Sequence, residues 1–389
     1  MRWACALLAA ALALAPAYAQ APSPLRERPD PSTDEGGLWG ISDRAERDAR
    51  TSGQLESDPA LNAYLRDVAC GVAAAYCGDI RLYVMNRPYF NASMAPNGYM
   101  EVWSGLLLRA ENEAQLAFVL GHEVGHYSER HSIETMRMMR GRANLAMVLS
   151  IGASAAGAGY LGDLVYLGTL ASVFGYSREN ESEADVVGFD GAVAAGYDPG
   201  AGAALWNNLI AETRASDNPD TRRSETRNSI FRTHPLSGER VEALEQRAAA
   251  RGGAGAAYRE RYRAAIRPFL SDWLRADLRR RDYGQTALIL DRLGAHGEDL
   301  GVVEYFKGEI NRLRRGDGDA ERARQHYANA VTHADAPAAA WRELGEYAAR
   351  SGDEAQARAY FTTYLERAPD AEDRALIEAR IGAAAGASQ

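Results

Sequence analysis

The sequence has few cysteines and no excess of positive charge. Only 3 of its 389 residues are cysteine, and 44 lysines and arginines stand against 53 aspartates and glutamates, for a formal net charge of −9. Arginine is scattered through acidic segments instead of being clustered, which argues against nucleic acid as the main partner. The composition is otherwise that of a globular protein, and the length predicts two domains.

The amino terminus has the pattern of a secretory signal peptide. A basic start at Met1-Arg2 is followed by an apolar run from Trp3 to Pro16 and by the small-x-small triplet Ala17-Tyr18-Ala19. We therefore expect residues 1–19 to be removed by cleavage after Ala19. A membrane anchor is the alternative, but the apolar run is shorter than the roughly 20 residues that cross a bilayer.

Loss of the signal peptide would leave two cysteines, Cys70 and Cys77, in a compartment that permits disulfides. Seven positions along an unbroken helix would separate their Cα atoms by about 10 Å, which is too far for a bridge. A disulfide therefore requires the helix to end near Gly71 or before Cys77. Two buried thiols are the alternative.

The rest of the chain divides into four segments. A leader over residues 20–37 is rich in Pro, Ser, Asp and Arg. Residues 38–250 form the candidate catalytic domain, which we predict to be mainly α with a small β-sheet. A Gly/Ala-rich break marks a linker over residues 251–261. Residues 262–385 are predicted to be helical.

Two runs in the candidate catalytic domain are predicted strands. They are Ile80–Met85 and Tyr99–Trp103, the second of which follows the turn signal Pro96-Asn97-Gly98. Asn112 is a helix cap before an apolar segment. The nearly uncharged stretch 144–174 is predicted to form two close-packed helices that touch a membrane surface, with a transmembrane hairpin as the alternative.

The helical segment carries a tetratricopeptide-like pattern. The positions that match its spacing are Trp341, Leu344, Gly345, Ala357, Phe361 and Pro369. Thirty-four residues before Ala357 and Phe361, the sequence has Ala323 and Tyr327, so we predict two to three repeat units. An unrelated helical bundle is the alternative.

The strongest chemical signal is Gly121-His122-Glu123-Val124-Gly125-His126. On a helix, His122 and His126 project from one face and can bind one cation, while Glu123 turns toward a water in the open coordination position. Zinc suits this ligand set, because imidazoles and a carboxylate keep the metal Lewis-acidic and lower the pKa of the bound water toward about 7. Glu123 would then act as the general base.

A second charged segment supports the metal interpretation. Glu181 and Asp185 stand one helical turn apart, so Glu181 can complete the zinc ligands while Asp185 accepts a hydrogen bond from the outer nitrogen of a ligand histidine. A solvated helix face is the alternative for these carboxylates. His131 follows the motif by five positions, so we expect it to point away from the histidine pair as a polar surface residue without a role.

The motif and the segment Ser177 to Asp185 together resemble the membrane-associated zinc peptidases, a family that includes HtpX, the CAAX prenyl endopeptidase and the periplasmic protease-chaperone BepA. Asn91-Ala92 and the strand Tyr99–Trp103 also match, and the resemblance covers roughly residues 40–250. It implies a gluzincin-type zinc peptidase domain. The appended repeats make the BepA type of member the nearest analogue.

The resemblance also draws attention to His234, which lies in a His-Pro segment that the family shares. It implies three alternatives for His234: a regulatory fourth ligand that displaces the catalytic water, a catalytic group that stabilises the transition state, or a structural residue. An edge strand near Asn91, Ala92 and Met94, or at Tyr99–Trp103, is expected to pair with an extended substrate.

The residues predict a secreted endopeptidase with one Zn²⁺ per chain. The resemblance implies that it is periplasmic and acts on misfolded or misassembled outer-membrane proteins. The repeats are expected to recruit these substrates or components of the outer-membrane assembly machinery. The alternative is a chaperone or assembly scaffold whose zinc is blocked by His234. The intact Glu123 argues against a pure scaffold, because a closed structural site has no use for a general base.

Overall fold

The computed structural model describes residues 27–140, 176–223, 234 and 237–386. In this part the chain is mainly helical with one small sheet, which confirms the predicted class. The helices of the amino-terminal part are α1 (Asp34–Thr51), α2 (Pro59–Ala73), α3 (Ser104–Arg109), α4 (Glu113–Ser128), α5 (His131–Arg140), α6 (Arg178–Ala194), α7 (Ala201–Ala215), α8 (Pro219–Arg223) and α9 (Gly238–Arg251). Those of the carboxy-terminal part are α10 (Arg259–Ile266), α11 (Leu270–Leu278), α12 (Tyr283–Gly294), α13 (Leu300–Arg314), α14 (Asp319–Ala330), α15 (Ala339–Arg350), α16 (Glu354–Arg367) and α17 (Arg374–Gly386).

The sheet has four strands in the order β1-β2-β4-β3, with β1 at Leu55–Glu56, β2 at Arg81–Met85, β3 at Ala92–Met94 and β4 at Tyr99–Trp103. The two predicted strands are confirmed as β2 and β4, which pair in parallel. β3 pairs antiparallel with β4 and forms one edge. Tyr99–Trp103 is therefore an inner strand, and the alternative that placed the exposed edge there is wrong.

Helices cover both faces of the sheet. Val84, Met100 and Val102 point into the main apolar core, which also contains the buried side of α4. On the opposite face, Met85 and Tyr99 pack with Ala45 and Ala49 of α1. α1 begins at Asp34, inside the segment predicted as a leader, because the Thr33 hydroxyl caps it by accepting from the Gly36 N–H.

Small residues bring α4 and α6 close together. A Cβ on Gly125 would lie 3.0 Å from the Ala184 Cα, and a Cβ on Gly188 would lie 2.7 Å from the His122 backbone nitrogen. The two backbones approach this closely only because side chains are absent at these positions. Histidines on α4 and carboxylates on α6 thus meet in one buried layer.

Cys70 and Cys77 form a disulfide, as predicted, with their Cα atoms 4.6 Å apart. α2 ends at Ala73, and a 3₁₀ turn over Ala74–Asp79 returns the chain so that the two cysteines meet. This is the break that the spacing required.

The carboxy-terminal helices continue the same core. Tyr262 and Ile266 of α10 are fully buried in the cluster that contains α4, and the Tyr262 hydroxyl donates to the Leu107 carbonyl. Arg109 joins the two parts through buried ion pairs with Glu212, at 2.7 Å, and with Asp277, at 2.8 Å. The carboxy-terminal helices are therefore packed directly onto the candidate catalytic domain.

Three predicted features lie outside the described residues. These are the signal peptide over residues 1–19, the first part of the leader, residues 20–26, and the apolar stretch 144–174. Among the helices that the structure describes, none has the length and apolar character needed to span a bilayer.

Candidate metal centre

Helix α4 carries both motif histidines into the interior. The Asn112 side chain caps the helix by accepting from the Gln115 N–H, as predicted. His122 and His126 are each 1% exposed, and their Nε2 atoms lie 3.0 Å apart. The Glu181 carboxylate on α6 faces them, with Oε1 at 3.5 Å from the His126 Nε2 and Oε2 at 3.7 Å from the His122 Nε2.

A fourth group, His234, completes this cluster. Its Nδ1 lies 3.3 Å from the His122 Nε2 and 3.0 Å from Oε1 of Glu181. Ligand atoms of His122, His126, Glu181 and His234 all lie within 4.8 Å of one another. No other metal-binding group of three or more such side chains occurs in the described part of the chain.

Most separations between the ligand atoms are close to those of a zinc site. Zn–N and Zn–O bonds of about 2.0–2.2 Å give ligand atoms roughly 3.3–3.6 Å apart in a tetrahedral site. Five of the six separations among the four groups range from 3.0 to 3.7 Å, and all lie within 4.8 Å. Two imidazoles and a carboxylate are also the donor set of catalytic zinc sites, so the residues fit the metal.

The outer nitrogen of His122 is held by Asp185. Its Nδ1 lies 3.0 Å from Oδ1 of Asp185, so the ring donates there and its Nε2 lone pair faces the cluster. Arg240 in turn binds Asp185 through two contacts of 2.7 Å, and its third nitrogen forms an ion pair with Oε2 of Glu181 at 2.6 Å. Burial raises the pKa of the Asp185 carboxyl, but Arg240 and His122 lower it by more. The pKa therefore lies below its ordinary value.

The outer nitrogen of His126 is held by His131, and the prediction that His131 is a surface residue is wrong. α4 ends at Ser128, and Arg130 has a positive φ of 62°, so the chain turns back before α5 begins at His131. His131 is 1% exposed, and its Nδ1 lies 2.9 Å from Nδ1 of His126. Its Nε2 lies 3.2 Å from Glu183.

Glu123 lies beside the metal ligands in a buried position. One of its carboxylate oxygens is 3.6 Å from Nε2 of His234. Burial raises the pKa of Glu123, while nearby histidines and the backbone N–H of Met94 oppose that rise. A carboxylate with a raised pKa next to a metal-bound water is suited to accept a proton at neutral pH.

His234 is the member of the cluster with some exposure, at 14% for its side chain. Burial lowers the pKa of its imidazole, but the carboxylates of Glu181 and Glu123 raise it by more, to about 9. His234 thus occupies the side of the cluster that opens toward a cleft. That cleft is also lined by Glu123.

The predicted substrate strand lies along the same cleft. Asn91, Ala92 and Met94 line it, and β3 is the sheet edge. The Asn91 carbonyl and the Ala95 N–H are bonded to β4, so by antiparallel alternation the backbone groups of Ala92 and Met94 face away from β4. The open side of β3 therefore runs toward Glu123.

The metal ligands are surrounded by residues for which the sequence predicted no role. Trp206 packs on His122 with ring centroids 6.1 Å apart, and Tyr176 stacks on His126 at 3.8 Å. Arg240 lies in the sequence segment that follows His234. Its carboxylate partners Asp185 and Glu181 are 55 and 59 residues away in sequence. A buried arginine with such partners is found only from the fold.

Comparison with known proteins gives the same chemistry. The model of peptidase family M48 matches residues 56–248. The beta-barrel assembly-enhancing protease of Escherichia coli (strain K12) is 28% identical over 250 residues, covering 60% of this chain and 49% of the relative. The putative beta-barrel assembly-enhancing protease of Vibrio cholerae is 29% identical over 210 residues, covering 51% and 41%. The mitochondrial metalloendopeptidase OMA1 of Schizosaccharomyces pombe is 30% identical over 177 residues, covering 45% and 49%.

The chain thus spans about half the length of the curated relatives it matches. The matched segment 56–248 contains the histidines of α4, both carboxylates of α6 and His234. Family match and site geometry therefore fall on the same residues, and residues 56–248 form a metallopeptidase domain of family M48.

Proposed function

We propose that this protein is a zinc-dependent endopeptidase of the bacterial cell envelope that hydrolyses misfolded or misassembled outer-membrane proteins. The observation that carries the proposal is the buried cluster of His122, His126 and Glu181 beside the carboxylate of Glu123. A purely structural zinc site has four closed ligands and no adjacent general base. The names of the bacterial relatives, which are proteases that enhance beta-barrel assembly, support the substrate class.

The residues divide the chemistry among them. Bound zinc supplies Lewis acidity and a water of lowered pKa. Glu123 accepts the proton of the attacking water and delivers it to the leaving amine, which its raised pKa favours. Asp185 and His131 keep the outer nitrogens of His122 and His126 protonated, so their inner lone pairs face the cluster.

The substrate pairs as an extended strand with β3. The outward backbone groups of Ala92 and the carbonyl of Met94 provide hydrogen bonds, whereas the Met94 N–H is bonded to Glu123. Asn91 lies at the start of this edge. Backbone pairing gives affinity with little side-chain selectivity, which suits a protease that acts on many unfolded chains.

His234 is a regulatory fourth ligand. Its Nδ1 lies 3.3 Å from Nε2 of His122 and 3.0 Å from Oε1 of Glu181, so His234 would hold a bound zinc together with these residues and would compete with the catalytic water for it. Hydrolysis then requires His234 to move away. The rival role, stabilisation of the transition state, predicts the opposite effect of its removal.

The carboxy-terminal helices form tetratricopeptide-like repeats that recruit substrates or outer-membrane assembly components. Two helix pairs, α13 with α14 and α15 with α16, support this proposal, as does the burial of Tyr327 and Phe361 at equivalent positions. Stacked helix pairs provide a concave surface suited to peptides and partner proteins. Export to the periplasm after cleavage at Ala19 places the enzyme with these substrates.

A second candidate function is a chaperone or assembly scaffold whose zinc remains blocked. The closeness of His234 to His122 and Glu181 favours this alternative, because four protein ligands would leave no open position. The buried Glu123 favours the protease.

Wild type and two variants of the mature chain separate these functions. An unfolded outer-membrane β-barrel protein is incubated with wild type, Glu123→Gln and His234→Ala, each with zinc or with a chelator. For the protease, cleavage requires zinc, Glu123→Gln lowers the rate about 10²- to 10⁴-fold without loss of bound zinc, and Glu129→Gln at the exposed end of α4 serves as the matched control.

The variant His234→Ala distinguishes the roles of that residue. Faster cleavage supports a regulatory ligand, and slower cleavage supports a catalytic group. Substrate binding without cleavage in every variant, with zinc present, would leave the scaffold as the function.

A further inference from the structure

A side-chain pocket lies between α1 and β3 and opens onto the catalytic groups. Its cavity volume is about 120 Å³, and we name it the α1 pocket. Residues that line it include Leu38, Ile41, Ser42 and Ala45 of α1, and also Glu101 and Glu123. The four from α1 follow the spacing i, i+3, i+4, i+7, so one stripe of this helix forms a wall.

α1 is fixed at both ends of this wall. Leu38 packs with Ile133 and Met136 of α5, whereas Ala45 packs with Met85 and Tyr99 of the sheet. α1 therefore bridges the gap between α5 and the sheet. Ile41 lies between these two contacts, is half-buried, and belongs to neither packing cluster.

Two polar side chains of the α1 pocket, Glu101 and Ser42, already have hydrogen-bond partners. Glu101, which is 2% exposed, accepts from the Tyr99 hydroxyl, from Trp103 Nε1 at 2.7 Å and from Arg87 at 3.0 Å. The Ser42 hydroxyl donates to the Leu38 carbonyl. A polar substrate side chain would have to compete with these partners, whereas an apolar side chain buries surface without disturbing them.

The direction of β3 determines which substrate side chains meet this pocket. Side chains of a strand alternate between the two faces of a sheet. Ser93 pairs with Glu101, so the two share the face on which α1 lies, while Met94 and Met100 point to the opposite face. Every second side chain of a strand added to β3 would therefore face the α1 pocket.

From this geometry we propose that the α1 pocket selects a large apolar side chain of the substrate at one position near the scissile bond, with Ile41 as a specificity-determining residue. The proposal rests on the protease function proposed above and names its substrate class. That class is extended segments in which large apolar residues alternate with small or polar ones. Strands of outer-membrane β-barrels have this alternation when they are not paired.

The proposal is tested with a series of peptides and the purified mature protein with zinc. One set of decapeptides shares a Ser/Ala/Thr background and carries Phe at each position in turn. At one position, Phe in place of Ala is expected to raise kcat/KM about 10- to 100-fold, as burial of a large apolar side chain implies, and Asp there is expected to prevent cleavage. At the adjacent positions, Phe is expected to change kcat/KM less than about threefold, because those side chains face away from the pocket.

Two substitutions of Ile41 connect this preference to α1. Ile41→Phe narrows the pocket and is expected to lower kcat/KM for the preferred Phe peptide about tenfold, while the Ala peptide is cleaved as before. Ile41→Ala widens the pocket and is expected to shift the preference from Leu toward Trp. Leu313→Phe, on a half-exposed apolar position of α13, is the matched control and is expected to leave the preference unchanged.

The outcomes separate this proposal from the protease function. Equal cleavage of all peptides, or an unchanged Phe-to-Ala ratio in both Ile41 variants, would overturn the pocket assignment and leave the protease standing. If no peptide and no unfolded protein is cleaved by wild type or by His234→Ala, the protease function itself fails.

Discussion

His131 Nδ1 lies 2.9 Å from Nδ1 of His126, and the other nitrogen of His131 lies 3.2 Å from Glu183. For the Nε2 of His126 to bind zinc, its Nδ1 must carry the proton, and His131 must then accept that proton's hydrogen bond. His131 is consequently protonated at Nε2, where Glu183 accepts. One ligand histidine is thus oriented by a carboxylate directly, and the other through a second histidine.

This relay predicts that His131 supports zinc affinity. His131→Ala leaves the Nδ1 of His126 without its partner, and zinc is expected to bind about 10- to 100-fold more weakly, as for other residues that hold a metal-ligating histidine. Glu183→Gln should weaken binding less, since the Glu183 side chain is 55% exposed. Competition with a chromogenic chelator measures the dissociation constant.

The matched control for the His131 and Glu183 variants is Glu179→Gln, at an exposed position of α6, the helix that carries Glu183. It should bind zinc as wild type does. If His131→Ala also binds zinc like wild type and shows an unchanged pH dependence of binding, the relay does not orient His126.

The contacts of Arg240 predict an effect on the stability of the fold, whereas those of His131 predict an effect on zinc affinity. Its guanidinium is the buried cation between Asp185 and Glu181, at 2.7 and 2.6 Å. Arg240→Ala leaves two buried carboxylates without their cation, which should lower the free energy of unfolding by about 3–5 kcal/mol. The measurement is urea unfolding in the presence of a chelator, so that loss of metal binding does not contribute.

An exposed ion pair nearby serves as the reference for Arg240. Arg178 and Glu239 lie 3.5 Å apart with side chains 76% and 81% exposed. Arg178→Ala should cost less than about 1 kcal/mol. Equal losses for Arg240→Ala and Arg178→Ala would show that the buried contact has no special role in stability.

The sequence predicted the site where spacing alone decides geometry. His122 and His126 are four apart on one continuous helix, and Glu181 and Asp185 are four apart on another, so each pair shares a face. The prediction for His131 was wrong because it extended α4 through Arg130, where the backbone turns with a positive φ. Local periodicity carries no information beyond such a break.

Contacts between distant segments also could not be predicted from the sequence. α1 was assigned partly to a leader, because the Asp-Glu-Gly-Gly start of the helix resembles a polar linker. Its role as a pocket wall depends on packing against β4 and α5. The strand pair β2 and β4, by contrast, was found from β-branched and aromatic content, since each strand has a buried face.

The disulfide predicts a measurable contribution to stability. Cys70 and Cys77 close a short loop between α2 and the following 3₁₀ turn. Chain-entropy arguments give about 2–3 kcal/mol for a loop of this length. The double variant Cys70→Ala/Cys77→Ala should therefore unfold at a lower urea concentration than wild type. Alkylation of denatured, unreduced mature protein should label neither cysteine, and labelling of both would contradict the bridge.

A buried network joins the carboxy-terminal helices to the candidate catalytic domain. Asp277 is fully buried between Arg109, at 2.8 Å, and Arg280, at 2.7 Å, and it also accepts from the Thr286 hydroxyl. Burial raises the pKa of the Asp277 carboxyl, but Arg109 and Arg280 lower it more, so the folded-state pKa lies below the ordinary value. The network thus stabilises the interface in its charged form.

The depressed pKa of Asp277 predicts how this interface responds to acid. A group whose pKa is lower in the folded state stabilises the fold above its unfolded pKa of about 3.9 and loses that contribution as the pH falls through the folded pKa. Asp277→Asn should therefore cost about 3–5 kcal/mol at pH 7, because Arg109 and Arg280 lose a charged partner, and the difference from wild type should shrink below pH 4. Urea unfolding with chelator at pH 7, 5, 4 and 3 measures the free energy of unfolding of wild type and of Asp277→Asn.

The control is Asp291→Asn, which breaks the ion pair between the exposed Asp291 and Lys307. It should cost less than about 1 kcal/mol at each pH. A difference for Asp277→Asn that stays constant down to pH 3 would mean that its carboxylate does not stabilise the interface through charge.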